Sequence, residues 1–184
     1  MDIDFTVLLV PHCQSVSKDG WNQDHLVRPL AEAGRAQAQA LVPAIGTGID
    51  AVYSSPAVRC RETVGPLASA AGLAVHELPE LYETQGFQDP GEWVAGVFAP
   101  MGQAVAGAWV AGRASGAVVR LSAAHPGGRV VVCSHGDVLP VLIALLAGAY
   151  GVPLPPLINR GGWWELRFAG GGLEIVVGQA RSES

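Results

Sequence analysis

Phe5-Thr6-Val7-Leu8-Leu9-Val10, followed at once by Pro11-His12-Cys13-Gln14-Ser15, is the stretch on which the fold turns. The first six residues carry no charge, the pattern of a parallel strand buried on both faces. Polarity then rises abruptly, and Pro11 interrupts strand pairing. The same grammar recurs at Arg129-Val130-Val131-Val132-Cys133, which ends in Ser134-His135-Gly136-Asp137. Two apolar strands, each ending on a histidine, predict an α/β sheet with chemistry at its carboxyl edge, where open parallel sheets hold their ligands.

The segments around these strands fill in the alternation. Pro29 is expected to open a helix through Ala31 to Ala40, ended by Pro43 and Gly46. Asp50 to Tyr53 reads as a second strand. Ser54-Ser55-Pro56 then reads as a helix start, with Ser55 as N-cap and Pro56 at the first helical position, and Gly72 as the stop. Leu73 to Glu77 is a third strand. Glu92 to Ser122 is Ala/Gly-rich and expected to be helical, with a break near Pro100-Met101-Gly102, and Val138 to Leu146 a further helix. Trp163 to Phe168 and Leu173 to Gly178 read as a closing hairpin around Ala169-Gly170-Gly171-Gly172, after a Pro-rich loop from Pro153 to Arg160. The expected architecture is a three-layer α/β sandwich, a mostly parallel central sheet with helices on both faces. At 184 residues, 49% of them hydrophobic, one domain spanning 1–184 can fill its own core.

Composition excludes several classes. The net charge is −5 and no basic tract is present, which argues against nucleic-acid binding. The longest apolar stretch, Val138 to Ala149, is too short to cross a bilayer and contains Pro140. Met1-Asp2-Ile3-Asp4 carries acids where a signal peptide needs bases, and the expectation is a cytoplasmic protein. Cys13, Cys60 and Cys133 are an odd count without a CxxC pair, so no disulfide framework is expected.

Three polar clusters fall at the expected carboxyl edge, His12, Ser54-Ser55 with Arg59, and His135, and Glu83, with Glu80 as the alternative, lies in the loop after the third strand. Two imidazoles, a guanidinium and a carboxyl group suit phosphoryl transfer. A neutral imidazole can attack phosphorus, cations stabilise the equatorial oxygens, and a carboxylic acid protonates the leaving oxygen. The bland readings are a loop-bonding histidine, a surface arginine and solvated acids. A zinc reading of Cys13, Cys133, His12 and His135 has the wrong spacing, so no metal and no cofactor are expected. Asp137 reads as a helix cap, and Trp163, Trp164 and Trp109 as core or interface.

Taken in order, Leu8-Leu9-Val10-Pro11-His12, Arg28-Pro29-Leu30-Ala31-Glu32-Ala33-Gly34, Tyr53-Ser54-Ser55-Pro56-Ala57-Val58-Arg59-Cys60-Arg61-Glu62-Thr63 and Val132-Cys133-Ser134-His135-Gly136-Asp137 resemble the histidine phosphatase superfamily, which includes phosphoglycerate mutase. The resemblance runs from Val7 to about Phe168. It is closest to the small SixA-like branch and to the phosphatase-like domain of some mycobacterial MutT proteins. It implies a phosphohydrolase acting on a small phosphorylated metabolite or a phosphohistidine protein through a phosphohistidine intermediate. It implies His12 as nucleophile, Arg59 and His135 as phosphoryl ligands and Glu83, after Leu81-Tyr82, as the general acid. Arg28, Ser134 and Cys13 are expected to complete the substrate site. A homodimer is compatible with these readings.

One position departs from the family. Its arginine-histidine-glycine reads here as Pro11-His12-Cys13, so the arginine that binds phosphate is replaced by a residue without even a backbone N–H. Losing one such donor costs about 2–4 kcal/mol of transition-state stabilisation, two to three decades in rate. Arg28, Lys18 and Arg61 are the candidates to replace it. Cys13 adds a side chain where the family has none. The same departure leaves room for acid–base chemistry on a non-phosphate substrate, or for a weak binding module.

Overall fold

The computed structural model describes residues 4–83 and 102–180. Six strands form one sheet: β1 (Phe5–Pro11), β2 (Ala51–Ser54), β3 (Val75–Glu77), β4 (Arg129–Ser134), β5 (Gly162–Ala169) and β6 (Gly172–Gln179). Their order is β3-β2-β4-β1-β5-β6. The first four are mutually parallel, and β5 and β6 run antiparallel at the β1 side. Among the described residues the α-helices are α1 (Glu32–Ile45), α2 (Val58–Ala71), α3 (Gly102–Ala124) and α4 (Leu139–Tyr150).

Strand alternation sorts the core into two layers. Val7 and Leu9 of β1, with Val130 and Val132 of β4, pack among Val110, Leu121, Leu139 and Leu142 of α3 and α4. Leu8 and Val10, with Val131 and Cys133, pack among Leu41 and Leu67 of α1 and α2. Each central strand is buried on both faces, so its sequence reads as an unbroken apolar run. The result is the expected three-layer sandwich, with an antiparallel two-strand edge.

Element ends differ from the sequence reading in instructive ways. α1 starts at Glu32 rather than Pro29, because Leu30 is held in a bridge to Ser15 and its N–H donates to Glu62 Oε2 at 2.7 Å. Pro43 is accommodated within the last turn, and Gly46 ends the helix. α2 starts at Val58 with Ala57 as N-cap and no side-chain cap. Ser55 is not the N-cap: two residues before it, its hydroxyl accepts from Ala57 N at 3.3 Å and meets His135 Nε2 at 2.8 Å. α4 has Val138 at its N-cap without a side-chain bond, so Asp137 is not the cap. Trp163 and Trp164 are buried, whereas Trp109 is 44% exposed. Gly170 and Gly171, both at positive φ, make the hairpin turn between β5 and β6. The expected helix break at Pro100-Met101, and the stretch from Glu92 up to it expected to be helical, lie outside the described residues.

Candidate active site

Register places the two histidines side by side. β1 and β4 pair with Pro11 opposite Ser134, so the next residue of each strand, His12 and His135, emerges at the same level. The His12 N–H still donates to Ser134 O at 2.9 Å. Pro11 therefore ends the strand without breaking the local ladder. The two imidazoles lie with ring centroids 5.4 Å apart and planes at 68°.

The loop after His12 is fixed by α1. Ala31 N donates to Gln14 O at 2.9 Å, and Gln14 N donates to Gln37 Oε1 at 3.0 Å. Gly34 permits this approach, since a Cβ there would stand 1.9 Å from Gln14 O. Glu83 is fixed from the other side. Leu78 N donates to Ser54 O at 2.8 Å, and the Ser134 hydroxyl donates to Leu81 O at 2.6 Å. Glu83, two residues beyond Leu81, thereby comes to stand 3.3 Å from His135 Nδ1.

These groups meet at a cleft of about 540 Å³ lined by His12, His135, Glu83, Arg28, Lys18, Asp137 and Arg160, with Ser15 to Ser17 and Gly136. His12 Nδ1 is 2.8 Å from Cys13 O, which can only accept, so Nδ1 carries the proton and Nε2 keeps its lone pair. Burial is the main force lowering the His12 pKa to about 3, with His135, Arg59 and Arg160 adding to it. At neutral pH His12 is therefore an uncharged imidazole with one ring nitrogen anchored, the state a nucleophile needs. At His135, burial opposes the charged ring, but the hydrogen bonds to Cys60 and Glu83 outweigh it and raise the pKa. The hydrogen bond to His135 is the largest influence on Glu83. With Arg59 it outweighs burial and holds the carboxyl down at about 2.

Arg59 is fully buried beneath the cleft. Its Nη2 is 2.5 Å from Glu83 Oε1 and 3.3 Å from His135 Nδ1, and its Nη1 donates to His25 O at 2.6 Å. Arg28 donates through Nη1 to Ser15 Oγ at 2.6 Å and Val16 O at 2.5 Å. Arg28 Nε and Arg59 Nε are buried donors without an acceptor among the described residues, as are the buried polar atoms Tyr82 Oη and His25 Nδ1. Native proteins seldom leave buried donors unpaired, and of these residues Arg28 lines the cleft.

Not every expected residue reaches the cleft. Cys13 lies wholly in the α1–α2 core layer, its N–H on Thr63 Oγ1 at 2.9 Å, and burial pushes its thiol up to about 11. It neither lines the cleft nor narrows it, because the chain turns after Pro11 and carries the side chain inward. Ser134 is also buried, its hydroxyl spent on Leu81 O, so it holds the Glu83 segment and does not contact the cleft. Arg61 pairs with Glu77 at 2.9 Å on the surface, and Glu80 pairs with Arg120. Of the three candidates to replace the missing arginine, Arg28 and Lys18 line the cleft and Arg61 does not.

Sequence reasoning missed Arg160. Its Nη1 donates to His12 O at 2.9 Å and Cys13 O at 3.1 Å, and stands 3.3 Å from His12 Nδ1. The signal that finds it is topological: a strand antiparallel to β1 begins where β1 ends. His12, Glu83 and His135 also bring ligand-type atoms within 4.8 Å of one another. Arg59 on Glu83 and Arg160 beside His12 put guanidinium charge next to these atoms, which opposes a dication there.

A sequence model of the histidine phosphatase superfamily (branch 1) matches residues 7–178. An 8-oxo-(d)GTP phosphatase of Mycolicibacterium smegmatis is 29% identical over 170 residues, covering 91% of this chain and 46% of that protein. The chain thus spans about half the length of this curated relative. Among solved structures, Bacillus stearothermophilus YhfR superposes with a TM-score of 0.69 at 22% identity, over 94% of this chain and 96% of that one. The protein histidine phosphatase SixA, complexed with tungstate, superposes with a TM-score of 0.63 at 19% identity, over 95% and 96%. At these identities the structural likeness speaks to the fold alone.

Proposed function

The chain belongs to the histidine phosphatase superfamily (branch 1), and we propose that it is a phosphohydrolase acting on a small phosphorylated metabolite or a phosphohistidine protein. The observation that carries this reading is the neutral His12, anchored through Nδ1 on Cys13 O, in one cleft with His135, Glu83 and cationic side chains. In the reading, His12 Nε2 attacks phosphorus and the bond to the ester oxygen breaks. His135 and Arg28 in the cleft, with the charge of Arg59 beneath them, draw charge from the phosphoryl oxygens. An incoming phosphate dianion next to Glu83 raises the carboxyl pKa by like-charge repulsion, and the proton it takes up passes to the leaving oxygen. Water then attacks the phosphohistidine, its proton goes to Glu83, the P–N bond breaks, and orthophosphate departs.

No cofactor or nucleic acid enters this scheme. No helix among the described residues is long and apolar enough to cross a membrane. The three unpaired cysteines support a cytoplasmic setting. The phosphatase named among the relatives places nucleotides in the substrate panel.

The test is turnover of p-nitrophenyl phosphate and of a panel of sugar phosphates, nucleotides and a phosphohistidine protein, with His12→Ala as control. Turnover abolished by the substitution is the expected result; no turnover on any phosphate by the unaltered protein overturns the reading. Pro11 favours a second reading, acid–base chemistry on a non-phosphate substrate. It predicts that Pro11→Arg raises phosphatase activity from nothing while destroying the native reaction.

A further inference from the structure

We propose that Arg160 is a phosphoryl-binding residue, taking the place of the arginine that Pro11 removes, and that the antiparallel edge of the sheet thereby completes the anion site. The proposal rests on the phosphatase reading and adds a residue from a different part of the chain to it.

Three observations carry it. The first is register. β5 pairs with β1 from Phe5 opposite Phe168 to Leu9 opposite Trp164. Continuing that pairing places Gly161 across from His12 and Arg160 across from Cys13. The start of β5 therefore arrives at the carboxyl end of β1, the end that carries the nucleophile. Gly161, at φ +79°, makes the turn into β5 in a conformation that side-chain-bearing residues rarely adopt.

The second is contact. Arg160 is the cleft-lining cation that hydrogen-bonds the nucleophile's own backbone, at His12 O and Cys13 O. Both bonds use Nη1. They hold the guanidinium beside His12 before substrate arrives, so little rotamer freedom is left to lose on binding. The planar fork can then present its remaining N–H groups to phosphoryl oxygens.

The third is elimination among the other cations. Arg61 is on the surface, paired with Glu77. Arg28 already serves the phosphoryl group in the proposed reaction, and its bonds go to Ser15 and Val16 rather than to the nucleophile itself, so it leaves the place of the lost arginine beside His12 unfilled. Lys18 is an exposed point charge without a fork. Position 11 can supply no donor at all.

The experiment compares the unaltered protein with Arg160→Gln, Arg160→Lys and Pro11→Arg/Arg160→Gln. The readouts are vanadate affinity, kcat/KM on p-nitrophenyl phosphate and melting temperature. Melting temperature and rescue by guanidinium ion together separate loss of the anion contact from loss of backbone support in Arg160→Gln. The expected result is an unchanged melting temperature, with vanadate affinity and kcat/KM each down about 10²-fold. Lysine should recover only part of this, and added guanidinium ion should raise the activity of Arg160→Gln. Restoration by Pro11→Arg in the double variant would support the exchange directly. Vanadate affinity within about threefold of the unaltered protein in Arg160→Gln overturns the proposal. So does a loss that tracks a lowered melting temperature and resists guanidinium, which would make Arg160 a structural residue. An unaltered protein that neither binds vanadate nor turns over any phosphate overturns the phosphatase reading itself, a failure visible before any substitution is made.

Discussion

The parallel strands and the antiparallel edge reach the cleft from opposite chain directions. β1 and β4 deliver His12 and His135 just past their carboxyl ends, and Ser55 follows β2 in the same way. β5 delivers Arg160 just before its amino end. A parallel sheet gathers strand-end residues, and an antiparallel neighbour adds strand-start residues to the same edge. The first kind announces itself in sequence as an apolar run followed by a polar cluster. The second needs knowledge of which strands are neighbours.

Perturbing the parallel side alone sharpens this contrast. Glu83→Gln keeps the shape and removes the proton carrier, so kcat on an alkyl phosphate should fall about 10²–10⁴-fold. On p-nitrophenyl phosphate, whose leaving group needs no proton, the first step should be nearly unaffected. Comparing kcat/KM, which reports the steps up to phosphoryl transfer, on the two substrates checks it, and equal losses on both would remove Glu83 from protonation of the leaving oxygen.

Gly34→Ala attacks the support of the His12 loop. Its methyl would stand 1.9 Å from Gln14 O, against backbone that α1 holds in place. A destabilisation of about 1–3 kcal/mol is expected in denaturant melts, with kcat falling as well. Acid should weaken the parallel side in a defined interval. The folded His12 stays neutral down to about pH 3, whereas the free ring takes a proton near 6.5. The unfolded chain thus binds more protons between those values, and stability should fall as pH drops through them. Glu83, depressed from 4.5 to about 2, extends the loss at the acid end. Denaturant midpoints measured from pH 7 to 4 check this, and His12→Gln should flatten the upper part of the slope. The smallest effect is expected of Ser134→Ala, about 1 kcal/mol in stability from the lost bond to Leu81 O. Its kcat should fall only modestly as Glu83 loosens, and the urea midpoint and kcat together test it.

The apolar runs at Phe5–Val10 and Arg129–Cys133 made the sheet and both histidines legible, because each strand is buried on two faces. Arg59 and Glu83 were legible through motif order, and the structure brings them together. What failed was side-chain direction beyond a strand end, where alternation no longer governs. Cys13 follows the chain into the core layer, and Ser134 and Ser55 spend their hydroxyls on Leu81 and His135. Arg160 failed for a different reason: its place depends on a pairing between residues about 150 positions apart, which no local pattern encodes.

The central claim is a phosphoryl group carried on His12. Rapid acid-free quenching of the protein with a ³²P-labelled substrate, followed by peptide mapping, tests it most directly. The account predicts a transient, acid-labile and alkali-stable label on the peptide containing His12, absent in His12→Ala. Turnover at full rate with no label on that peptide at any quench time would contradict it.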